Sequence, residues 1–96
     1  MAQIINEQDI INAICLSQAY YKNIRPEDVL VELTYDDDAG FGAEAEVNGQ
    51  IEMLNTAAMI GALRVWIKDV LHGDPFSTGI ELILDDEEGI IAKLSS

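Results

Sequence analysis

The chain has 96 residues, 49% of them apolar and 24% charged, with seven glycines and two prolines, which fits one globular domain and leaves no room for a second. Eighteen Asp and Glu against five Lys and Arg give a formal charge of −13, so phosphate backbones and anionic membrane surfaces are excluded as expected partners. A single cysteine, Cys15, excludes an intramolecular disulfide and any multi-cysteine zinc site, and it fits a reducing compartment.

The start MAQIINEQDII has no basic region followed by an apolar run, and no apolar stretch approaches the roughly 18 residues that span a membrane. The expectation is a cytoplasmic, unprocessed protein. Asn6 before Glu7, Gln8 and Asp9 sets an N-cap followed by carboxylates at the positive end of a helix dipole, and predicts a helix to about Asn23. At 100° per residue its apolar stripe comprises Ile10, Ile14 and Tyr21, with Ile11, Ala13 and Tyr20 beside them. Pro26 stops helical continuation, and Val29, Val31, Leu33 and Tyr35 then alternate along a half-buried strand. An acidic turn, Asp36 to Gly40, leads to a second strand with Phe41, Ala43 and Ala45 on one side and Glu44 and Glu46 on the other.

The next turn contains Asn48 and Gly49. A two-residue loop would put Ile51 and Met53 on the face of Glu46 and Glu44, whereas a three-residue loop, Val47 to Gly49, aligns them with Ala45 and Ala43; the pattern favours the latter. With Asn55 or Thr56 as cap, Met59, Ile60, Leu63, Trp66, Ile67 and Val70 recur at helical spacing up to Gly73, the expected stop. Beyond Pro75, Ile80, Leu82 and Leu84 alternate, Asp85 to Gly89 form another acidic turn, and Ile90 to Leu94 supply a fifth strand.

Sliding the chain by 49 residues superposes helix on helix, Pro26 on Pro75 and VELTYDDDAGFGA on IELILDDEEGIIA. Identical pairs include Ala13/Ala62, Asp36/Asp85, Gly40/Gly89 and Ala43/Ala92, and the helical stripes share a phase, Ile14 falling on Leu63. This predicts a single α+β domain, residues 1–96, of two αββ units at about 6–47 and 55–96. The units form an antiparallel sheet of about five strands, the Ile51 strand an extra, with both helices on one face.

The segments NEQDIINAICL, RPEDVLVELTYDDDAGF, VNG and DPFSTGIELILDDEEGIIA resemble the YxcD-like family of small Bacillus proteins over nearly the whole chain, the DDD and DDEEG turns being the most specific parts. That family is a domain of unknown function. The resemblance therefore implies a cytoplasmic origin and supplies no activity, cofactor or catalytic residue.

Asp36, Asp37, Asp38, Asp85, Asp86, Glu87 and Glu88 are the candidates for a divalent cation, which needs several converging oxygens. Counting an EF-hand loop from Asp36 puts Phe41 where glycine is required and Val47 where a bidentate Glu is required, so that motif is absent, and Asp in a turn ordinarily bonds its own backbone. His72, in the expected last turn of the second helix, reads as a cap; Cys15 as a packed thiol; Trp66, Tyr20 and Tyr21 as core. No nucleotide loop follows Gly40 to Gly42, and no cofactor is expected. Leu16 and Val65 lie opposite much of the core stripe on their helices and superpose in the repeat, marking a candidate interface. Three functional readings remain, in descending order. They are a non-catalytic acidic protein-binding or adaptor module with a basic partner or a homodimer, a divalent-cation binder using the acidic turns, and an enzyme using paired carboxylates such as Asp37 and Asp86.

Overall fold

A computed structural model describes residues 3–95. Strand β1 (Gln3–Ile5) precedes helix α1 (Glu7–Lys22); a single 3-10 turn at Pro26–Asp28 leads into β2 (Leu30–Asp36) and β3 (Gly40–Val47). Strand β4 (Gln50–Leu54) precedes helix α2 (Thr56–Asp69), followed by β5 (Gly79–Asp85) and β6 (Gly89–Ser95). The class is α+β, but among the described residues the strands number six and form two three-stranded antiparallel sheets, β1-β6-β5 and β2-β3-β4, in place of one sheet of about five. The expected count missed β1, whose three residues are too few to show alternation. It also left β4 as an extra, although β4 stands before α2 as β1 stands before α1.

The registers of the two halves coincide at a spacing of 49 residues. Leu30 faces Glu46 in the first β-hairpin and Gly79 faces Ser95 in the second; Ile5 faces Ala92, and Leu54 faces Ala43. The opening strand of each half pairs with the closing strand of the other, so neither sheet is completed by one half alone. The helix starts are exchanged in the same sense. Glu7 Oε2 accepts the Ile90 N–H at 3.0 Å, while the Thr56 hydroxyl donates to the Phe41 carbonyl at 2.6 Å.

Both helices are capped by asparagine. Asn6 Oδ1 accepts the Asp9 N–H and Asn55 Oδ1 accepts the Ala58 N–H, each at 2.8 Å, satisfying donors that a helix start leaves free. Ile10, Ala13 and Ile14 of α1 and Met59, Ala62 and Leu63 of α2 are buried in one core with Ala43, Ala92, Ile90 and Leu94 from the two central strands. The alanines recur in equivalent places for a packing reason: the helices meet each other and the sheets closely, and larger side chains there would overpack the core.

The helix ends correct three expectations. Tyr20 and Tyr21 are exposed, at 82% and 75%, because the stripe turns away from the core in the last turn of α1. Helix α2 ends at Asp69, so Val70 is an exposed cap outside the stripe and Gly73 is not the stop. His72 lies beyond the helix with φ of 58°, the left-handed place that Asn23 fills after α1 with φ of 55°. Arg64 then ties down the following segment by donating to the Pro75 and Thr78 carbonyls.

The β3–β4 connection is a fourth correction. Val47 pairs with Gln50, leaving a two-residue loop of Asn48 and Gly49 with φ of 53° and 80°. Both residues tolerate left-handed backbone, and a loop of that kind matches the twist of its strands, so turn chemistry sets the register in place of hydrophobic alternation. Ile51 and Met53 therefore stand beside Glu46 and Glu44, exposed at 59% and 68%.

Candidate functional site

The acidic turns are built alike. Asp36 Oδ1 accepts the N–H groups of Asp38 and Ala39 at 2.7 and 3.1 Å, and Asp85 Oδ1 accepts those of Glu87 and Glu88, both at 2.9 Å. Gly40 and Gly89 close the loops at φ of 80° and 78°, a conformation that glycine adopts without strain. The Asp38 amide, with Ala39, holds the Asp36 carboxyl below the usual range, and the Glu88 and Glu87 amides do the same to Asp85. Asp37, Asp38, Asp86, Glu87 and Glu88 are exposed. Among the described residues no group of three or more His, Cys, Asp or Glu side chains is arranged to hold a metal ion.

The Cys15 thiol donates to the Val29 carbonyl at 3.6 Å, and burial pushes its pKa up, away from the reactive thiolate. His72 is exposed on the loop after α2. Trp66 is half-buried and packs on the core.

Leu16 and Val65 are brought together. They are 41% and 42% exposed and line one cleft of about 570 Å³ between the outer sides of α1 and α2, with Tyr20, Tyr21, Ile24 and Trp66 along it. Lys68 and Asp69 are the charged residues of its lining. Helical periodicity finds Leu16 and Val65 because both stand off the buried arc of their own helix.

A second surface was not legible in that way. The outer face of the β2-β3-β4 sheet carries Leu30, Glu46 and Ile51 in one cross-strand row and Glu32, Glu44 and Met53 in the next. Leu30 is 66% exposed, so three large apolar side chains flank three carboxylates. Glu32 and Glu44 face each other directly, an opposition that works against strand pairing. Lys22 lies 3.3 Å from Glu52, which alternates with Ile51 and Met53 along β4 and so points away from this face. The equivalent pair in the other sheet is Glu81 opposite Lys93, of opposite sign. The signal for this face was the Asn48-Gly49 dipeptide, whose two-residue turn fixes which residues share it.

The family model for a protein of unknown function, DUF2653, matches residues 1–87. The uncharacterised protein YxcD of Bacillus subtilis (strain 168) is 32% identical over 93 residues, covering 96% of this chain and 91% of that protein. No solved structure matches significantly. The family match over nearly the whole length, together with that relative, shows that the chain belongs to the DUF2653 family, whose function is unknown.

Proposed function

We propose that this chain is a non-catalytic, cytoplasmic protein-binding module whose partner presents a cationic, amphipathic segment to the outer face of the β2-β3-β4 sheet. The observation that carries this reading is the like-charged Glu32/Glu44 opposition beside Glu46, set among exposed Leu30, Ile51 and Met53. Stability alone favours the opposite-sign arrangement that Glu81 and Lys93 have at the equivalent place. A partner's Lys or Arg side chains would relieve the repulsion, its apolar side chains would cover Leu30, Ile51 and Met53, and the charge of −13 would speed encounter.

The test uses a defined probe, a peptide of alternating lysine and leucine, titrated calorimetrically against the protein at low and high salt. Saturable binding that weakens with NaCl, and that falls at least about tenfold in a Glu32→Gln, Glu44→Gln, Glu46→Gln triple variant, supports the reading. Binding that the triple variant leaves unchanged would mean only diffuse attraction to an acidic protein, and the assignment of this face would fail.

A further inference from the structure

The net charge is unevenly placed. Helix α1 contains Glu7, Asp9 and Lys22, and helix α2 contains Arg64, Lys68 and Asp69, so the two helices together are neutral and the whole −13 lies in the strands and connections. The cleft between them is apolar along Leu16, Tyr20, Val65 and Trp66, and its charged residues, Lys68 and Asp69, are of opposite sign. Among the described residues neither Lys68 nor Asp69 is in an ion pair.

We infer that this helix face is the contact surface for a second copy of the chain, forming a two-fold symmetric dimer. A cationic partner is drawn to the acidic sheets and hairpins and gains no electrostatic advantage at a neutral cleft, whereas another copy carrying −13 can approach closely only where charge is absent. A two-fold contact is self-complementary: Lys68 of each copy meets Asp69 of the other, while the Leu16 and Val65 sides close over the cleft. The area required is modest. A standard interface takes about 800 Å² from each partner, a small fraction of this chain's 6170 Å² of accessible surface. The face is separate from the sheet surface proposed for a cationic partner, and the inference does not depend on that reading.

The two contacts respond to salt in opposite directions. Screening weakens attraction between a basic segment and an acidic sheet, whereas between two copies it relieves the repulsion of −13 against −13, which outweighs its loosening of exposed Lys68–Asp69 pairs, so the dimer tightens as NaCl is raised. Sedimentation velocity from about 10 μM to about 1 mM protein, at about 50 and about 500 mM NaCl, reads this directly, and emission from Trp66, which lines the cleft, should change with association. Leu16→Glu and Val65→Glu, each at a side chain already more than two-fifths exposed, should weaken the dimer about 30-fold or more. Should either variant prove unfolded by circular dichroism, Lys68→Asp and Asp69→Lys replace it: each alone weakens association, and the two together in one chain restore it. A chain that stays monomeric at both salt concentrations overturns the inference. So does a dimer that loosens with salt, or one that folded Leu16→Glu and the charge variants leave intact.

Discussion

The two halves of the molecule share a register residue for residue and differ in what they show to solvent. On the outer face of one sheet Glu32 opposes Glu44, and at the same place on the other Glu81 opposes Lys93. Leu30 corresponds to Gly79, and Glu46 to Ser95. Inside, the correspondence is close: Ile14 and Leu63 are both fully buried, as are Ala43 and Ala92. The contrast separates two demands on the sequence. The interior is constrained by a packing geometry that both halves must satisfy, whereas the outer faces are free of it, and the acidic, apolar face of the first half is a departure that strand pairing does not require.

If the halves are one core, breaking either should break both. Ile14→Ala and Leu63→Ala each remove a fully buried side chain and should each cost about 2–5 kcal/mol, a large part of a total of about 5–15 kcal/mol. Denaturant unfolding should remain a single transition in both variants, because each sheet borrows a strand from the other half. Loss of one half's signal before the other's, or a cost under about 1 kcal/mol, would show that the exchanged strands do not couple the halves.

The caps sharpen the likeness. Asn6 and Asn55 make the same 2.8 Å bond at equivalent helix starts, so Asn6→Ala and Asn55→Ala should cost similar amounts, about 0.5–2 kcal/mol each. A large inequality would point to two differences beside them: α1 carries Glu7 and Asp9 in its first turn where α2 has no acidic residue, and the first side chain of each helix bonds in a different sense. Glu7 accepts a hydrogen bond from the partner hairpin, and Thr56 donates one.

The outer faces supply the converse test. Glu44→Lys gives the first sheet the arrangement of the second and should stabilise by about 0.2–1 kcal/mol, while Lys93→Glu should destabilise by a similar amount. Thermal melts of the two variants against the parent measure both signs. Glu44→Lys should also impair binding of a cationic peptide. A stabilised variant that no longer binds is the pattern expected of a residue kept for recognition.

These contrasts also indicate how far the sequence could be read. Helices, caps and acidic turns were legible because each rests on local chemistry: Asn6 and Asn55 ahead of amphipathic runs, and Asp36 and Asp85 before glycine-closed loops. Periodicity puts Tyr20 and Tyr21 on the core face, yet both are exposed, because it assigns a face without saying where the neighbouring layer ends. Hydrophobic alternation gives the wrong β3–β4 register because it buries Ile51 and Met53, whereas the Asn-Gly turn sets the pairing. Strand exchange between the halves is non-local, and a three-residue strand such as Gln3–Ile5 carries no period. Of the two surfaces, the Leu16/Val65 cleft followed from helical phase, while the sheet face could appear only once that register was known.

The smallest expected effect concerns the acidic turns, where the halves agree most closely. Each spends one Asp carboxylate oxygen on two backbone N–H groups, and the side chains of Asp37, Asp38, Asp86, Glu87 and Glu88 extend into solvent. A Ca²⁺ site of about six to eight oxygens at about 2.3–2.6 Å needs convergence that one such turn does not supply. Millimolar Ca²⁺ or Mg²⁺ should therefore raise the melting temperature no more than NaCl of equal ionic strength, and a saturable calorimetric isotherm of micromolar affinity would sink this expectation. Protons should act where divalent cations do not. The carboxyls of Asp36 and Asp85 are held below the unfolded value of about 3.9, so their contribution to stability is complete above that pH and fades as pH falls through the lowered folded-state value. Asp36→Ala and Asp85→Ala should each flatten the acid limb of the stability curve and leave its pH dependence above about 6 unchanged. Equal flattening by the two substitutions would mark the turns as matching structural closures, and a difference in their response to Ca²⁺ would reopen the case for a cation at one of them.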